Sequence, residues 1–281
     1  MNTPLIAPLK SPLKIGGFQE CECQPLFDFL QGQNLPGIEW FTVDLKNWRE
    51  AACDVYLLSQ KESTHILSLM PRLPTDVRST GACDLLLKEN GDYWPHNILS
   101  VVLAEILIEK CPHLNTQAIA YVTGDGAWAR TIIAVIIQMG FSKINWTCLE
   151  PEKAEVTANE IRSAFFGVKL QVLTAADLNL QPNNGSLLVN TLSIEEYPEF
   201  LVDLTYLNFI QKGGLVVDMP LLPFEKNILV EALNVGISTL HGAEIAWRWW
   251  AQVCAKNKLT VMKNLKFEDF ESFLKSRPRP S

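Results

Sequence analysis

The chain has 281 residues, of which 48% are hydrophobic and 20% charged, the balance of a globular protein with room for two ordinary domains. Its formal net charge of -7 argues against a nucleic-acid partner, because contact with phosphates needs a basic surface. No segment reaches the roughly 18 apolar residues that span a bilayer, and the first residues lack the pattern of a secretion signal. We therefore expect a cytoplasmic protein without nucleic-acid or membrane partners.

The seven cysteines are odd in number and scattered, which is typical of reduced thiols and not of a disulfide framework. Cys21 and Cys23 form a close pair, but the chain has no second pair at the spacing of a zinc ribbon. The sequence therefore predicts no metal site.

The first 100 residues are irregular and rich in proline, and they fit a small α/β domain. After a helix predicted over 97–110, short apolar runs alternate with amphipathic ones, the pattern of a parallel sheet flanked by helices. The predicted strands of this region are 118–122, 144–148, 170–173, 187–189, 215–217 and 237–240. The predicted helices between them are 127–139, 152–165, 197–210 and 224–234.

This alternation predicts an α/β fold, with a Rossmann-type doubly wound parallel sheet domain over residues 101–242 and a smaller N-terminal α/β domain over residues 1–100. A further helix is predicted at 243–254 and contains Trp247, Trp249 and Trp250. We expect residues 243–281 to pack back onto the N-terminal domain and complete it.

A glycine-rich turn stands between the first strand and the first helix of the predicted Rossmann domain. It reads Gly124, Asp125, Gly126, Ala127, Trp128, Ala129 and matches the G-x-G-x-x-A pattern of dinucleotide sites. Gly124 permits the tight turn, Gly126 lets the backbone approach a diphosphate, and Ala129 allows close packing of helix on strand. The free amides at the start of the helix favour a phosphate, so these residues are predicted to bind a dinucleotide.

The choice of cofactor is usually made at the end of the second strand, where a basic side chain pairs with a 2′-phosphate and an acidic one with the ribose hydroxyls. This position reads Cys148-Leu149-Glu150, without an arginine. The sequence therefore favours NAD over NADP, with Glu150 at the ribose. Because Asp125 and Trp128 could crowd the phosphates, a vestigial cleft that binds no cofactor is the alternative.

Several segments outside the glycine turn follow the pattern of one family. Residues 80–85 (TGACDL) are similar to a G-A-V-N-T stretch, and residues 241–245 (HGAEI) to a D-G-x-x-M-L stretch. Together with Asn190 and Asp218, they resemble the shikimate dehydrogenase family from about residue 66 to residue 250. The resemblance implies a two-domain NAD(P)-dependent dehydrogenase with Asn190, Asp218 and Gly242 at the cofactor site.

The half that would bind the substrate departs from that family, in which a lysine and an aspartate move the proton. Only Arg72 stands near the place of the lysine, and His96 lies near that of the aspartate. Both are candidates for catalysis, although an arginine keeps its proton and makes a poor acid or base. Ser11 is the candidate for the serines that hold the substrate carboxylate, and Trp249 takes the place of a glutamine. These exchanges predict a substrate other than shikimate, because its hydroxyls would lack partners.

Three hypotheses follow. The first is a divergent oxidoreductase of this family, a monomer or homodimer, that uses a nicotinamide cofactor on a small molecule other than shikimate. The second is a non-catalytic binding or interaction protein that has lost the dehydrogenase site, with residues 247–250 as a contact surface. The third, a methyltransferase, shares the strand, glycine turn and acidic residue, but fits the spacing of the turn less well.

Overall fold

A computed structural model describes residues 12–18, 23–178, 180–193, 204 and 206–277. The strands are β1 Leu13–Phe18, β2 Ile38–Val43, β3 Val55–Leu57, β4 Leu85–Glu89, β5 Asp92–His96, β6 Ile119–Thr123, β7 Lys143–Thr147, β8 Lys169–Leu173, β9 Gly185–Asn190, β10 Ile210–Asp218 and β11 Ser238–His241. The helices are α1 Gln24–Gly32, α2 Gln60–Ser68, α3 Thr75–Thr80, α4 Ile98–Lys110, α5 Gly126–Gln138, α6 Pro151–Ala164, α7 Ala175–Leu178, α8 Asn227–Asn234, α9 Gly242–Lys256 and α10 Phe267–Ser276. A short 3₁₀ helix covers Val261–Asn264.

The strands form two sheets. The first, of five strands in the order β2-β1-β3-β4-β5, is mixed, because β1 pairs in parallel with β2 and β3 while β4 pairs antiparallel with β3 and β5. The second, of six strands in the order β11-β10-β9-β6-β7-β8, is parallel throughout. The α/β fold with a Rossmann-type parallel sheet is therefore confirmed.

The parallel sheet reverses its winding direction between β6 and β9. The chain runs outward from β6 to β8 on one side and then returns to place β9 on the other side of β6. Open sheets of this kind bind ligands at the carboxyl ends of the strands beside such a switch point. At the ends of the strands, Thr123 of β6 lies beside Asn190 of β9 and Thr147 of β7. Asp218 of β10 lies beside Asn190 and beside His241 of β11. The carboxyl ends of these five strands therefore form one edge of the sheet.

The sequence-based elements of this sheet agree with the structure except around β10. All six predicted strands are present, but β10 begins at Ile210 and not at residue 215. The helix predicted over 197–210 falls largely on residues outside the described ones, and its end is wrong, because residues 206–209 form turns and Ile210 belongs to the strand. Phe209 and Ile210 are buried, and the Phe209 carbonyl accepts a hydrogen bond from the Gly185 amide at 2.9 Å, which ties this segment to β9.

The tryptophans of α9 lie inside the protein. Trp250 is completely buried and its ring centroid lies 5.7 Å from that of Trp40, while Trp247 stacks on Phe270 with centroids 5.8 Å apart. Helix α9 packs against α4 and α10, as expected for a helix that joins the two halves. The hypothesis that residues 247–250 form a contact surface is therefore wrong for the two buried indoles, Trp249 and Trp250. Within the described part of the chain, every helix is too short or too polar to span a bilayer.

We expect Trp250→Ala to lower the free energy of unfolding by about 3–5 kcal/mol, because it empties a large space in the core. Urea denaturation measures this loss, and sedimentation of the folded variant should match that of the wild type. Phe166→Ala is the matched control, since Phe166 is fully exposed and should change stability by less than about 0.5 kcal/mol. A change in sedimentation without loss of stability would contradict the core assignment.

Candidate functional site

The glycine turn lies at the junction of a strand and a helix. Strand β6 ends at Thr123 and α5 begins at Gly126. Gly124 has φ +111° and Gly126 φ +86°, conformations that residues with a Cβ rarely adopt. Asp125 is the N-cap residue of α5, with extended backbone and no side-chain capping bond. The predicted context of the G-x-G-x-x-A pattern is therefore confirmed.

Protein side chains contact both glycines of this turn. A Cβ on Gly124 would collide with Oγ1 of Thr191, and one on Gly126 would lie 2.9 Å from Oε1 of Gln60. The backbone amide of Trp128 donates to the same Gln60 oxygen at 3.4 Å. A carboxamide oxygen from α2 thus occupies the position at the start of α5 where a phosphate oxygen would be bound.

Asp125 and Trp128 lie on different sides of the turn. The Asp125 carboxylate accepts a hydrogen bond from the Leu149 amide at 3.1 Å, which links the turn to the end of β7, and burial raises the pKa of Asp125. The Trp128 indole is buried and lines an apolar cavity between the two sheets. The group beside the helix amides is thus Gln60, which sequence reasoning missed because no motif marks it.

An outer pocket of about 580 Å³ lies beside the turn, at the ends of β6 and β7 and against α6. Such a volume is within the range of small-molecule sites. Its wall combines Asp125 and Glu150 with the cations Arg130 and Lys153, and it includes Leu149. Lys153 forms an ion pair with Glu150, and Arg130 one with Glu160 at 3.0 Å. The pocket wall is therefore partly apolar and carries charges of both signs.

Asn190 and Asp218 belong to a buried polar network at the strand ends. The Thr123 hydroxyl donates to Asn190 Oδ1 at 2.7 Å, and Asn190 Nδ2 donates to Asp218 Oδ1 at 2.6 Å. Lys226, also buried, places Nζ 3.4 Å from Asp218 Oδ2. The structure thus brings these two predicted cofactor residues together, with their side chains bonded to neighbours. Sequence reasoning missed Lys226, because it follows a turn and not a strand.

The start of α9 explains the predicted position Gly242. A Cβ there would collide with the carbonyl oxygen of Met219, so only glycine lets the helix approach the end of β10. His241 accepts a hydrogen bond from the Ala243 amide on Nδ1 at 2.9 Å, and its Nε2 lies 2.8 Å from the Phe224 carbonyl, which assigns the proton to Nε2. Burial lowers the pKa of His241, so a neutral imidazole caps this helix.

The apolar cavity between the sheets has a volume of about 30 Å³ and contains a single carboxyl group among the described residues that line it, Asp84. Asp84 accepts hydrogen bonds from the amides of Ile98, at 2.9 Å, and Leu99. Burial raises the pKa of Asp84 to about 7, against the opposing effect of these amides. Asp84 belongs to the segment that resembles G-A-V-N-T. Its contact with the start of α4 could not be predicted from the sequence.

The residues predicted for catalysis lie away from this cavity. Arg72 is exposed in the connection between α2 and α3. His96, on the edge strand β5, places Nε2 3.5 Å from Oε1 of Glu89, and burial lowers its pKa. Neither is among the described residues that line the cavity, and Ser11 lies outside the described residues. Their catalytic and binding roles remain predictions. The described residues contain no group of three or more metal-ligating side chains.

We expect the free energy of unfolding of the wild type to decrease as the pH rises from about 4 to about 7, compared with that of Asp84→Asn. The reason is that the folded chain keeps the Asp84 proton up to about pH 7. The unfolded chain releases it near pH 4, so below that value both states are protonated and the full stability is present. The difference should be on the order of 1–4 kcal/mol. Urea unfolding across this range measures it, and identical slopes for the two proteins would contradict the burial of a protonated carboxyl.

No family model matches the chain. Among curated proteins it is similar to the shikimate dehydrogenase (NADP(+)) of Methanococcus maripaludis, with 25% identity over 179 residues that make up 63% of this chain and 62% of that protein. The chain spans less than two thirds of the length of the first curated relatives it matches. The names of these relatives give NADP as the cofactor, so they do not support a preference for NAD.

Solved structures share the fold over nearly the whole chain. Quinate dehydrogenase from Corynebacterium glutamicum in complex with NAD matches with a TM-score of 0.72 and 14% identity, over 95% of this chain and 100% of that one. The ligand-free 5-ketofructose reductase of Gluconobacter sp. matches with a TM-score of 0.68 and 16% identity, over 95% and 98%. The sequence matches and the shared fold thus agree with the resemblance to shikimate dehydrogenases, to which the chain is distantly similar.

Proposed function

We propose that this protein is an oxidoreductase that binds a nicotinamide dinucleotide and acts on a small molecule other than shikimate. The observation that carries the proposal is the glycine turn between β6 and α5, which lies at the switch point of the parallel sheet and opens onto a pocket of about 580 Å³. A strand, a tight glycine turn and a helix N-terminus in this place are the elements that hold a dinucleotide.

The residues around the glycine turn fit such a cofactor once the Gln60 side chain has moved. The outer pocket would take the adenosine half, with Asp125, Arg130 and Lys153 on its wall, and the amides at the start of α5 would hold the diphosphate. The Gln60 carboxamide must first leave the Trp128 amide. When bound, the cofactor supplies hydride exchange, and the region over 101–242 is the domain that we propose binds it.

We propose NAD as the preferred form. Leu149 and Glu150 lie in the wall of the outer pocket at the end of β7, where a 2′-phosphate would need a basic partner. Glu150 would repel that phosphate and accept hydrogen bonds from the ribose hydroxyls. Lys153 is the nearest candidate to offset this repulsion, but it is already paired with Glu150.

A substrate other than shikimate agrees with the apolar cavity, whose described wall residues include no lysine, arginine or histidine. A carboxylate moved into apolar surroundings without a cation loses its hydration with nothing to replace it. One observation favours the non-catalytic alternative, the contact of Gln60 with the amide of Trp128. A protein that no longer binds phosphate could retain a side chain at the place of the phosphate. Cofactor binding decides between the two.

We expect calorimetric titration to show NAD binding, and Gln60→Ala to bind NAD about 2- to 10-fold more tightly than the wild type. The reason is that NAD must displace the Gln60 hydrogen bond, which is worth about 0.5–1.5 kcal/mol. The control is Gln33→Ala, at an exposed glutamine that follows the last residue of α1, and it should bind NAD as the wild type does. No binding of NAD or NADP at millimolar concentration would remove the oxidoreductase proposal, and equal affinities would show that Gln60 does not compete.

We expect Leu149→Arg to raise the affinity for NADP relative to NAD by about tenfold, because a charged hydrogen bond to the 2′-phosphate is worth roughly 1.5–3 kcal/mol. Competition titrations with the two dinucleotides measure the ratio. Leu149→Gln, of similar length but neutral, should leave the ratio nearly unchanged. A wild type that already prefers NADP would contradict the assignment of this position.

A further inference from the structure

A pocket in the N-terminal half lies between helix α1 and the edge strand β2. Its volume is about 360 Å³, within the roughly 300–1,000 Å³ of small-molecule sites. Strand β1, helix α1 and strand β2 form one βαβ unit, because β1 and β2 pair in parallel. The facing sides of a helix and a sheet normally bury apolar side chains against each other. This unit contains an open pocket there instead.

Glycine and uncharged polar side chains keep the space open. Gln24, Phe27 and Gln31 lie on one face of α1, because they are three and four residues apart, and all three line the pocket. Opposite them, Thr42 of β2 lies beside Gly17 of β1. A Cβ on Gly17 would lie 3.3 Å from the Phe27 ring. Glycine therefore lets this ring contact the strand and adds no side chain to the pocket.

Aromatic rings form the apolar part of the wall. Trp40 is half-buried and lines the pocket together with Phe18 and Phe41. Its ring centroid lies 6.4 Å from that of Phe27 and 5.7 Å from that of Trp250. These two contacts hold the indole in place, so the part of Trp40 that borders the pocket is a preformed surface for the C–H groups of a ring-shaped ligand.

The described residues that line this pocket include no charged side chain. Asp28 of α1 accepts a hydrogen bond from Gln24 Nε2 at 2.7 Å and forms an ion pair with Arg277 at 2.5 Å, so its charge is compensated. A cationic ligand would approach the Lys14 ammonium, which lies 5.8 Å from the centroid of the Phe41 ring. An anionic ligand would lose hydration without gaining a cation from the described wall. The charges therefore favour a neutral ligand.

The polar groups at the opening of the pocket match hydroxyl groups. Gln31 and Thr42 are exposed there, and a carboxamide or a hydroxyl both donates and accepts hydrogen bonds, as the hydroxyls of a sugar do. We propose that this pocket binds one neutral sugar in its pyranose form, with the sugar ring packed on the Trp40 indole and its hydroxyls bonded to Gln31 and Thr42. The glycine turn follows β6 of the other sheet, so this site goes beyond the oxidoreductase function and does not depend on it.

Binding is tested with the methyl β-pyranosides of glucose, galactose and mannose. The indole N–H resonance of Trp40, assigned with Trp40→Phe, reports on the pocket. We expect at least one of the three sugars to shift this resonance in a saturable way at millimolar concentration. The matching uronic acid glycoside, in which a carboxylate replaces the hydroxymethyl group, and tetramethylammonium should leave it unchanged. No shift with any of the three sugars, or an equal shift with either ion, would overturn the proposal.

The residues at the opening are tested by substitution. We expect Gln31→Ala to weaken sugar binding about 3- to 10-fold, because it removes one hydrogen bond to the ligand. Gln33→Ala, at an exposed glutamine that does not line the pocket, should bind the sugar as the wild type does. Thr42→Phe should abolish binding by filling the opening, and its exposed position should leave the melting temperature nearly unchanged. Wild-type affinity in both Gln31→Ala and Thr42→Phe would contradict the assignment.

Failure of the sugar site and failure of the oxidoreductase function give different results. If a sugar shifts the Trp40 resonance while neither NAD nor NADP binds, the sugar site stands and the oxidoreductase function is wrong. If NAD binds while no sugar shifts this resonance, the cofactor assignment stands and the sugar site is wrong.

Discussion

A buried network of polar side chains holds together the strand ends on which the candidate site is built. Asp218 and Lys226 form an ion pair of 3.4 Å, and Asn190 connects Asp218 to Thr123 at the end of β6. Removing one member of a buried ion pair typically costs 3–5 kcal/mol, because it leaves the other charge uncompensated. The network therefore fixes β6, β9 and β10 relative to one another. Because the glycine turn follows Thr123 directly, the network also determines where this turn lies.

The fold was accessible from the sequence because its signals are local. Alternating apolar runs and amphipathic segments predicted the parallel sheet, and glycines at positions 124 and 126 predicted the tight turn after its first strand. The contacts that shape the site are not visible in local patterns. Gln60 lies 68 residues from Trp128 along the chain, and their contact depends on how the two halves are placed against each other. Lys226 approaches Asp218 through the turn after β10, and no periodicity or motif predicts the path of that turn.

The cavity between the two sheets contains apolar side chains at positions where the resemblance predicts polar ones. Trp249, at the place of a glutamine in the family, is buried against the cavity that Trp128 also lines. The two indoles bring a large apolar area to a space of about 30 Å³, and Trp249 offers no hydrogen-bond acceptor where a glutamine would. The wall of this cavity is therefore apolar except for Asp84 among the described residues that line it.

One short segment connects this cavity to the cofactor turn. Strand β3 leads to Leu58, a wall residue of the cavity, and two residues later Gln60 contacts the start of α5. Between them, Ser59 caps α2, with its amide bonded to Glu62 Oε2 at 3.0 Å, so the backbone of this segment is held by the first turn of the helix. Residues 58–60 therefore connect the wall of the cavity to the start of α5, and a change in the position of α2 would alter both.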